Sequence, residues 1–543
     1  MKRIFAFFLS GILSAAAMSP SETVPPFFPG DSDNSKWELS QYTSWEKGED
    51  GSPVLKVNIP SGSEIVNTTY GGYRTLDLSA YRGRQIVLSA EIEVDQVPAR
   101  KETFRSAKIM VCHRTSEGVR YISSSFALWG SQSWKKQFLT MFVPFTESKN
   151  TLLVGLQYNT GIVRIRNLRL EEKDLFPVPF KIPENFRCEY TENIKNTPRL
   201  RGAGCISGSD GIPCTNEKDA RDFAALGGNV FRWWLFYDAL NPDLRVMERS
   251  LERTLEKLEK LLPLYEKLGI RVIPVLGALP GGRYSNPLKL GITDAQQSEK
   301  EHGALNFRLY FDQKLLDAYV RIWRKIARRL KQYPAVYGYS VMNEPTQIGE
   351  VPYNYLYCQY LAAKAIREED PERMIYVAAN DWDSAHAFSY LKPLPLKNIG
   401  YEVHMYIPYE YTHQGVGDSI ARIKEGKFFS YPGKIGDSVY NRDVLKKQLD
   451  AVVRFQKKYG ARIYCGEFSV IRWAPGGAQY LDDLCSIFEE LGWDWAYHCY
   501  REWLNWSLEY PSAYPAPDPA EKPTDRMKVI QRYFQKNRSD SRK

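Results

Sequence analysis

Residues 336–345 read VYGYSVMNEP and residues 461–470 read ARIYCGEFSV, and the fold turns on how these two stretches are placed. Each is a short apolar run reaching a glutamate near its end, Glu344 in the first and Glu467 in the second. Each follows a segment with apolar residues at three- and four-residue steps, LLDAYVRIWRKIARRL (315–330) and VLKKQLDAVVRFQKKYG (444–460). That spacing predicts amphipathic helices, and the runs after them predict buried strands. Two carboxylates at strand carboxyl ends, separated by further helix–strand units, would face one common mouth if the strands close into a barrel.

Working outward, the same unit recurs in both directions. RLRGAGCIS (199–207), NVFRWWLF (229–236) and IRVIPVLG (270–277) read as the first three strands. Between the second and third, LERTLEKLEKLLPLYEKLG (251–269) lines Leu251, Leu255, Leu258, Leu262, Tyr265 and Leu268 along one face. Gly269 is placed to end that helix, and Pro263 is expected to kink it. RMIYVAAND (373–381), NIGYEVHMY (398–406) and WDWAYHCY (493–500) supply the remaining strands, and DRMKVIQRYFQKN closes the series as a helix. Eight strands alternating with helices over residues 199–543 fit a (β/α)8 TIM barrel. A doubly wound open sheet would want a glycine-rich phosphate turn with an acidic partner downstream; RGAGCISGSDG is only a loose match.

Upstream, the texture changes. RQIVLSAEIEV, KKQFLTMFVPF, TLLVGLQY and GIVRIRNLRLEE alternate apolar and polar residues between Gly, Asn, Ser and Pro turns, with no helical period. Residues 21–176 are therefore expected to form a β-sandwich, making the chain multidomain. Proline-rich LFPVPFKIPENF leads into a stiff linker over 177–198. Residues 1–20 read as a signal peptide: Lys2 and Arg3, an apolar stretch from Ile4 to Leu13, then Ala15–Ala17. No later run of ~20 apolar residues follows, so the expectation is an exported product, secreted or periplasmic, with no membrane insertion after signal cleavage.

Composition narrows the partners. The 73 basic and 64 acidic residues give a net charge of +9 that is spread along the chain. Its densest run, IWRKIARRLKQY, falls on a predicted helix as a solvated face, so no nucleic-acid partner is expected. With 13 Trp and 35 Tyr, the chain has material for stacking on sugar rings as well as for large cores. Among the eight cysteines, Cys205 and Cys214 are the pair to test as a disulfide, while Cys465 and Cys499 read as buried thiols. No CxxC or Cys/His spacing marks a zinc site, and neither a metal nor an organic cofactor is expected.

Collecting strand-end residues gives Arg232, Asn343, Glu344, His404, Tyr406 and Glu467, with Trp382, Trp473 and Trp503 in the loops that follow. Paired carboxyls at such positions are what glycoside hydrolysis requires, one protonating the leaving oxygen and the other acting at the sugar carbon. Asn343-Glu344-Pro345, His404-Met405-Tyr406 and Gly466-Glu467-Phe468 in this order resemble glycoside hydrolase family 5, within a clan of retaining (β/α)8-barrel hydrolases. The resemblance covers the chain from about Leu200 onward. It implies Glu344 as acid/base and Glu467 as nucleophile. Asn343 would bind the sugar 2-hydroxyl, Arg232 and Tyr406 would hold Glu467 ionised, and His404 would fix geometry. The N-terminal region likewise resembles the jelly-roll carbohydrate-binding modules that accompany polysaccharide hydrolases, with Trp129, Trp134 and Tyr158 as candidate platforms.

The chain departs from that family pattern twice. After strand three, Gly277 stands where many members carry a histidine. At strand eight, where a tryptophan usually lines the subsite, His498 and Trp503 both qualify, with Trp503 preferred. The stretch 279–306 is long for a βα loop and is expected to shape one end of a cleft. The implied activity is retaining hydrolysis of a β-linked polysaccharide or oligosaccharide, endo-β-1,4-glucanase-like. β-Mannanase, exo-β-glucosidase and a catalytically inactive sugar-binding protein are the alternatives.

Overall fold

The computed structural model describes residues 36–540, apart from 66–67, 101–103, 116–117, 125–126, 144–147, 207–215, 237–242, 283–306, 348–350, 417–419, 437 and 515–517. The expected signal peptide, Cys214 with its pairing to Cys205, and most of the 279–306 loop lie outside the described residues.

Alternating sequence upstream folds into two antiparallel sheets. Their strands are β1 (Glu38–Leu39), β2 (Thr43–Lys47), β3 (Pro53–Ile59), β4 (Thr69–Leu76), β5 (Gln85–Val97), β6 (Ala107–Thr115), β7 (Gly118–Ser123), β8 (Gly130–Phe142), β9 (Lys149–Gln157) and β10 (Gly161–Glu172). One sheet runs β1-β4-β9-β6-β7 and the other β2-β3-β10-β5-β8, a jelly-roll-like sandwich. β10 shows how the pattern is kept. Val163 and Ile165 are buried, Asn167 takes a left-handed φ of 55° where the pairing with β5 slips, and Leu168 and Leu170 are buried after it. The slip moves the apolar set from odd to even positions and keeps it facing the core. Outside, Arg164 and Arg166 pair with Glu93 and Glu91 at 2.9 and 2.7 Å.

The barrel strands are β11 (Arg201–Ile206), β12 (Val230–Phe236), β13 (Arg271–Leu276), β14 (Gly338–Ser340), β15 (Met374–Ala378) and β16 (Ile399–Met405). After the small hairpin β17 (Gly433–Ile435) and β18 (Ser438–Tyr440) come β19 (Arg462–Phe468) and β20 (Asp494–Tyr497). The eight strands β11-β12-β13-β14-β15-β16-β19-β20 close through parallel pairing of β20 with β11. Helices 217–226, 244–267, 313–330, 355–369, 450–459, 477–491 and 525–534 surround them. Helix 244–267 runs on through Pro263 and ends at Leu268, with Gly269 left-handed. The expected helix over 444–460 divides at Leu449 into Arg442–Gln448 and Asp450–Tyr459.

Inside the barrel, Leu200, Val230, Ile273, Met374, Tyr376 and Tyr464 form a separate apolar plug below the mouth. The segment after the sandwich packs against the barrel. Leu175 and Phe176 are buried in the barrel core, with the Phe176 ring stacked on Tyr390 at 5.3 Å and edge-on to Tyr355 at 5.0 Å. Farther along, Cys188 N donates to Tyr459 O at 2.7 Å and Tyr190 Oη to Ile399 O at 2.9 Å.

Candidate active site

Strand alternation decides which side chains reach the barrel interior. In β16, Tyr401, Val403 and Met405 join the core shared with the helices, which turns Glu402 and His404 inward. In β12, Phe231 and Trp233 face outward and Arg232 inward, where it is completely buried. Between β16 and β19 the register slips: Val403 pairs with Cys465, but His404 pairs with Glu467. Gly466 is the residue skipped. A Cβ on it would lie 1.8 Å from Glu402 Oε1, so only glycine leaves room for that carboxylate. The Gly-Glu pair in the sequence thus has a packing reason as well as a chemical one.

Arg232 is the hub. Its Nε donates to Glu402 Oε1 at 2.8 Å, Nη1 to Glu467 Oε1 at 2.8 Å and Nη2 to Asn343 Oδ1 at 2.7 Å. Ser340 Oγ donates to the other oxygen of Glu402 at 2.6 Å, and Tyr406 Oη donates to Glu467 Oε2 at 2.9 Å. Burial alone would push the Glu467 carboxyl up. The positive field of His404, His498 and Arg232, with the Tyr406 hydrogen bond, instead holds it down at about 2. Glu402, whose burial also works against its charge, is kept below the usual carboxylate range by Arg232, His404 and Ser340. Tyr406 is raised well above its ordinary value by burial and by Glu467, so it remains a donor.

Strand four is shorter than expected: β14 ends at Ser340, and Asn343 and Glu344 lie on the loop beyond it. Glu344 takes a left-handed φ of 47°, and its N–H donates to Asp383 Oδ2 at 2.9 Å. Asp383 also accepts from Ala379 N at 2.7 Å, tying the loops after β14 and β15 together. Residues 381–383 all have positive φ, between 56° and 62°, a strained run of non-glycine residues. That run sends Asp383 into the interior and leaves Trp382 43% exposed at the mouth. Burial, with Glu402 and Glu344 nearby, raises the Asp383 carboxyl well above its ordinary range.

His404 stands among all four carboxyls. Its Nδ1 lies 3.0 Å from Glu344 Oε1 and 3.9 Å from Glu467 Oε2; its Nε2 lies 3.3 Å from Glu402 Oε1 and 3.7 Å from Asp383 Oδ2. Burial disfavours its charge, yet Glu467, Asp383, Glu344 and Glu402 together raise the imidazole well above its usual value. Protonated, both nitrogens donate. Glu344, His404 and Glu467 each place an oxygen or nitrogen within 4.8 Å of the others, so the two glutamates meet across one narrow gap. Glu344 is the more open, its side chain 23% exposed against 7% for Glu467.

The structure therefore brings Arg232, Asn343, Glu344, His404, Tyr406 and Glu467 together. Trp503 packs edge-on against Trp506 at 4.8 Å, whereas His498 Nδ1 stands 3.9 Å from Glu467 Oε2; of the two strand-eight candidates, His498 adjoins the carboxylate. Trp473 is buried, with its indole N–H on Gln414 O at 2.8 Å, which makes it a loop anchor. Glu402, Asp383 and Trp506, stacked on Tyr406 at 5.4 Å, complete the cluster without having been singled out from sequence. Glu402 carried a readable signal: it precedes His404 by two in one strand and so shares its face. A second set, His498, Cys499 and Glu502, also has ligand atoms within 4.8 Å of one another.

The family model described as Cellulase (glycosyl hydrolase family 5) matches residues 193–511. The chain is 25% identical over 295 residues to Endoglucanase C of Acetivibrio thermocellus, covering 50% of this chain and 80% of that one. It is 24% identical over 260 residues to Cellodextrinase A of Ruminococcus flavefaciens, covering 47% and 68%. A solved glycoside hydrolase structure aligns with 62% of this chain and 99% of its own at a TM-score of 0.45 and 17% identity.

Proposed function

The chain belongs to glycosyl hydrolase family 5 and is a β-glycoside hydrolase; from that premise we propose retaining, endo-β-1,4-glucanase-like cleavage by double displacement. The observation that carries this reading is the gap between Glu344 and Glu467, whose nearest oxygens lie within 4.8 Å. Retaining enzymes hold their carboxyls about 5–5.5 Å apart, whereas inverting ones leave room for a water. Glu467, pinned as an anion by Arg232 and Tyr406, is the nucleophile. Glu344, more exposed and beside His404, protonates the leaving oxygen and then activates water. Asn343, held by Arg232, meets the 2-hydroxyl, and exposed Trp382 offers a stacking face at the mouth. The names of the similar curated proteins, an endoglucanase and a cellodextrinase, support a β-glucan substrate.

Glu467→Ala is expected to abolish turnover of aryl β-glycosides, with azide restoring part of it as the inverted glycosyl azide. Glu344→Ala with azide should give the retained product instead. Undiminished activity of Glu467→Ala sinks the assignment. A polysaccharide panel with product sizing separates endo-glucanase from mannanase and exo-glucosidase action.

The sandwich is inferred to brace the barrel. Trp129 is buried in its core, Trp134 lies under Arg166 at 4.1 Å, and Phe142 meets Tyr390 at 6.2 Å. Deleting the residues before Pro177 should lower thermal stability and leave retention on insoluble polysaccharide unchanged; lost retention would make the sandwich a binding module. Export is proposed on the pattern of residues 1–20, and amino-terminal sequencing of the mature protein tests it.

A further inference from the structure

Beyond β20, the chain builds a second polar wall against Glu467. His498 Nδ1 lies 3.9 Å from Glu467 Oε2, and His498 Nε2 lies 3.5 Å from Glu502 Oε1. Both side chains are at least nine-tenths buried, at 8% and 10% exposure. The Trp506 ring stands 5.2 Å from the His498 ring and stacks on Tyr406, so it joins this wall to the nucleophile's own donor. Three buried polar atoms here, His498 Nδ1, Glu502 Oε2 and Trp506 Nε1, have no hydrogen-bond partner among the described residues. Gly204 leaves open the space against His498: a Cβ there would sit 3.1 Å from Nδ1.

A buried polar atom left without a partner forfeits the hydrogen bonds it had in water. Three of them clustered beside a nucleophile await a ligand that both donates and accepts. The Cys499 thiol also lies against the Glu502 carboxyl, whose Oε2 can take a further donor, and Trp506 Nε1 needs an acceptor. A sugar hydroxyl is both. We propose that His498, Glu502 and Trp506 form a polar specificity wall that reads a hydroxyl, other than the 2-hydroxyl, of the neutral sugar attacked by Glu467. The idea rests on the assignment of Glu467 as nucleophile. A uronic acid would set another negative charge beside Glu502 and Glu467, so uronosides should be excluded. Where an aromatic platform would tolerate a missing hydroxyl, this wall should not.

The test compares the full-length enzyme on an aryl β-glycoside with its 3-, 4- and 6-deoxy analogues. One deletion is expected to lower kcat/KM at least ~100-fold, because a site built around a hydroxyl rejects the analogue lacking it. In Glu502→Gln, kcat/KM on the parent should fall by a similar factor while that same analogue loses little more. Turnover of the analogue then also reports that the variant is folded. Deletions all costing less than ~10-fold in the wild type would overturn the proposal. Equal loss on parent and analogue in a folded Glu502→Gln would do so too. If Glu502→Gln fails to fold, the wild-type panel decides alone. Absence of any Glu467-dependent turnover would instead refute the catalytic reading on which this inference stands.

Discussion

Both ends of the barrel bury charge, but they do so differently. At the amino-terminal end of the strands, Arg201 donates to both oxygens of Glu489 at 2.7 and 3.0 Å and to Asn537 at 2.9 Å. Arg462 donates to Asp494 at 3.1 Å and to Ile194 O at 2.6 Å, while Asp494 also accepts from Leu200 N at 2.9 Å. There, each acid has at least one cation to itself, Glu489 meeting Arg199 and Lys536 as well at 3.4 and 3.5 Å, and the polar atoms close on one another. At the mouth, Arg232 and His404, with His498 beside Glu467 alone, must serve Glu344, Asp383, Glu402 and Glu467. One end is balanced and closed; the other carries surplus acid and opens to solvent through Glu344. Buried charge therefore does not by itself mark a reactive centre. An imbalance that displaces proton affinities in opposite directions does, with Glu467 pushed down and Asp383 pushed up.

Substitutions at the two hubs should break this contrast if it is wrong. Arg232→Met should lower kcat by about 10²–10³-fold, the scale of losing a preorganised electrostatic contact. The acid limb of its pH–rate profile should move to higher pH, because Glu467 loses a cation that helps hold it at about 2. A pH–rate series on the purified variant measures both. Arg201→Met, its counterpart at the closed end, should cost about 1.5–3 kcal/mol of stability, since Glu489 loses its two-pronged donor but keeps Arg199 and Lys536 at 3.4 and 3.5 Å. Below its unfolding temperature it should keep kcat within ~2-fold of wild type, since preorganised contacts at the reacting centre are untouched. Denaturant unfolding alongside kinetics reads the two effects separately.

The mouth should also shape the pH dependence of stability. Glu467 has a depressed folded value, so its contribution is present above about 4.5 and is lost as pH falls from there toward 2. A depression of that size is worth about 3 kcal/mol. His404 is raised, so its contribution is complete below 6.5 and is lost as pH rises through its folded value. Thermal unfolding from acid to alkaline pH should show a shallower acid decline in Glu467→Gln and a shallower alkaline decline in His404→Gln. The smallest effect belongs to the exposed rim. Trp382→Ala should raise KM for polymer about fivefold with little change in kcat, matching a lost stacking contact of ~1 kcal/mol.

Much of this was legible along the chain because periodicity reports burial. The three- and four-residue steps of 251–268 and the apolar runs before Glu344 and Glu467 carry the barrel, and alternation in 161–172 carries the sandwich. Asp383 was not legible, since a run of three left-handed residues turns it inward and no local pattern announces that. Docking of Phe176 was hidden too, because its partners Tyr355 and Tyr390 lie far along the chain.

Residue order alone determined the succession of strands and helices, and with it that Glu344 and Glu467 would stand at or just beyond strand ends. Those properties follow from local spacing. What only the tertiary structure decided is how the acids share their cations. The slip at Gly466 sets Glu467 beside His404, and the Arg232 fork spans Glu402, Glu467 and Asn343. Electrostatic interaction depends on distances across the barrel, and those are fixed only when the eighth strand closes on the first.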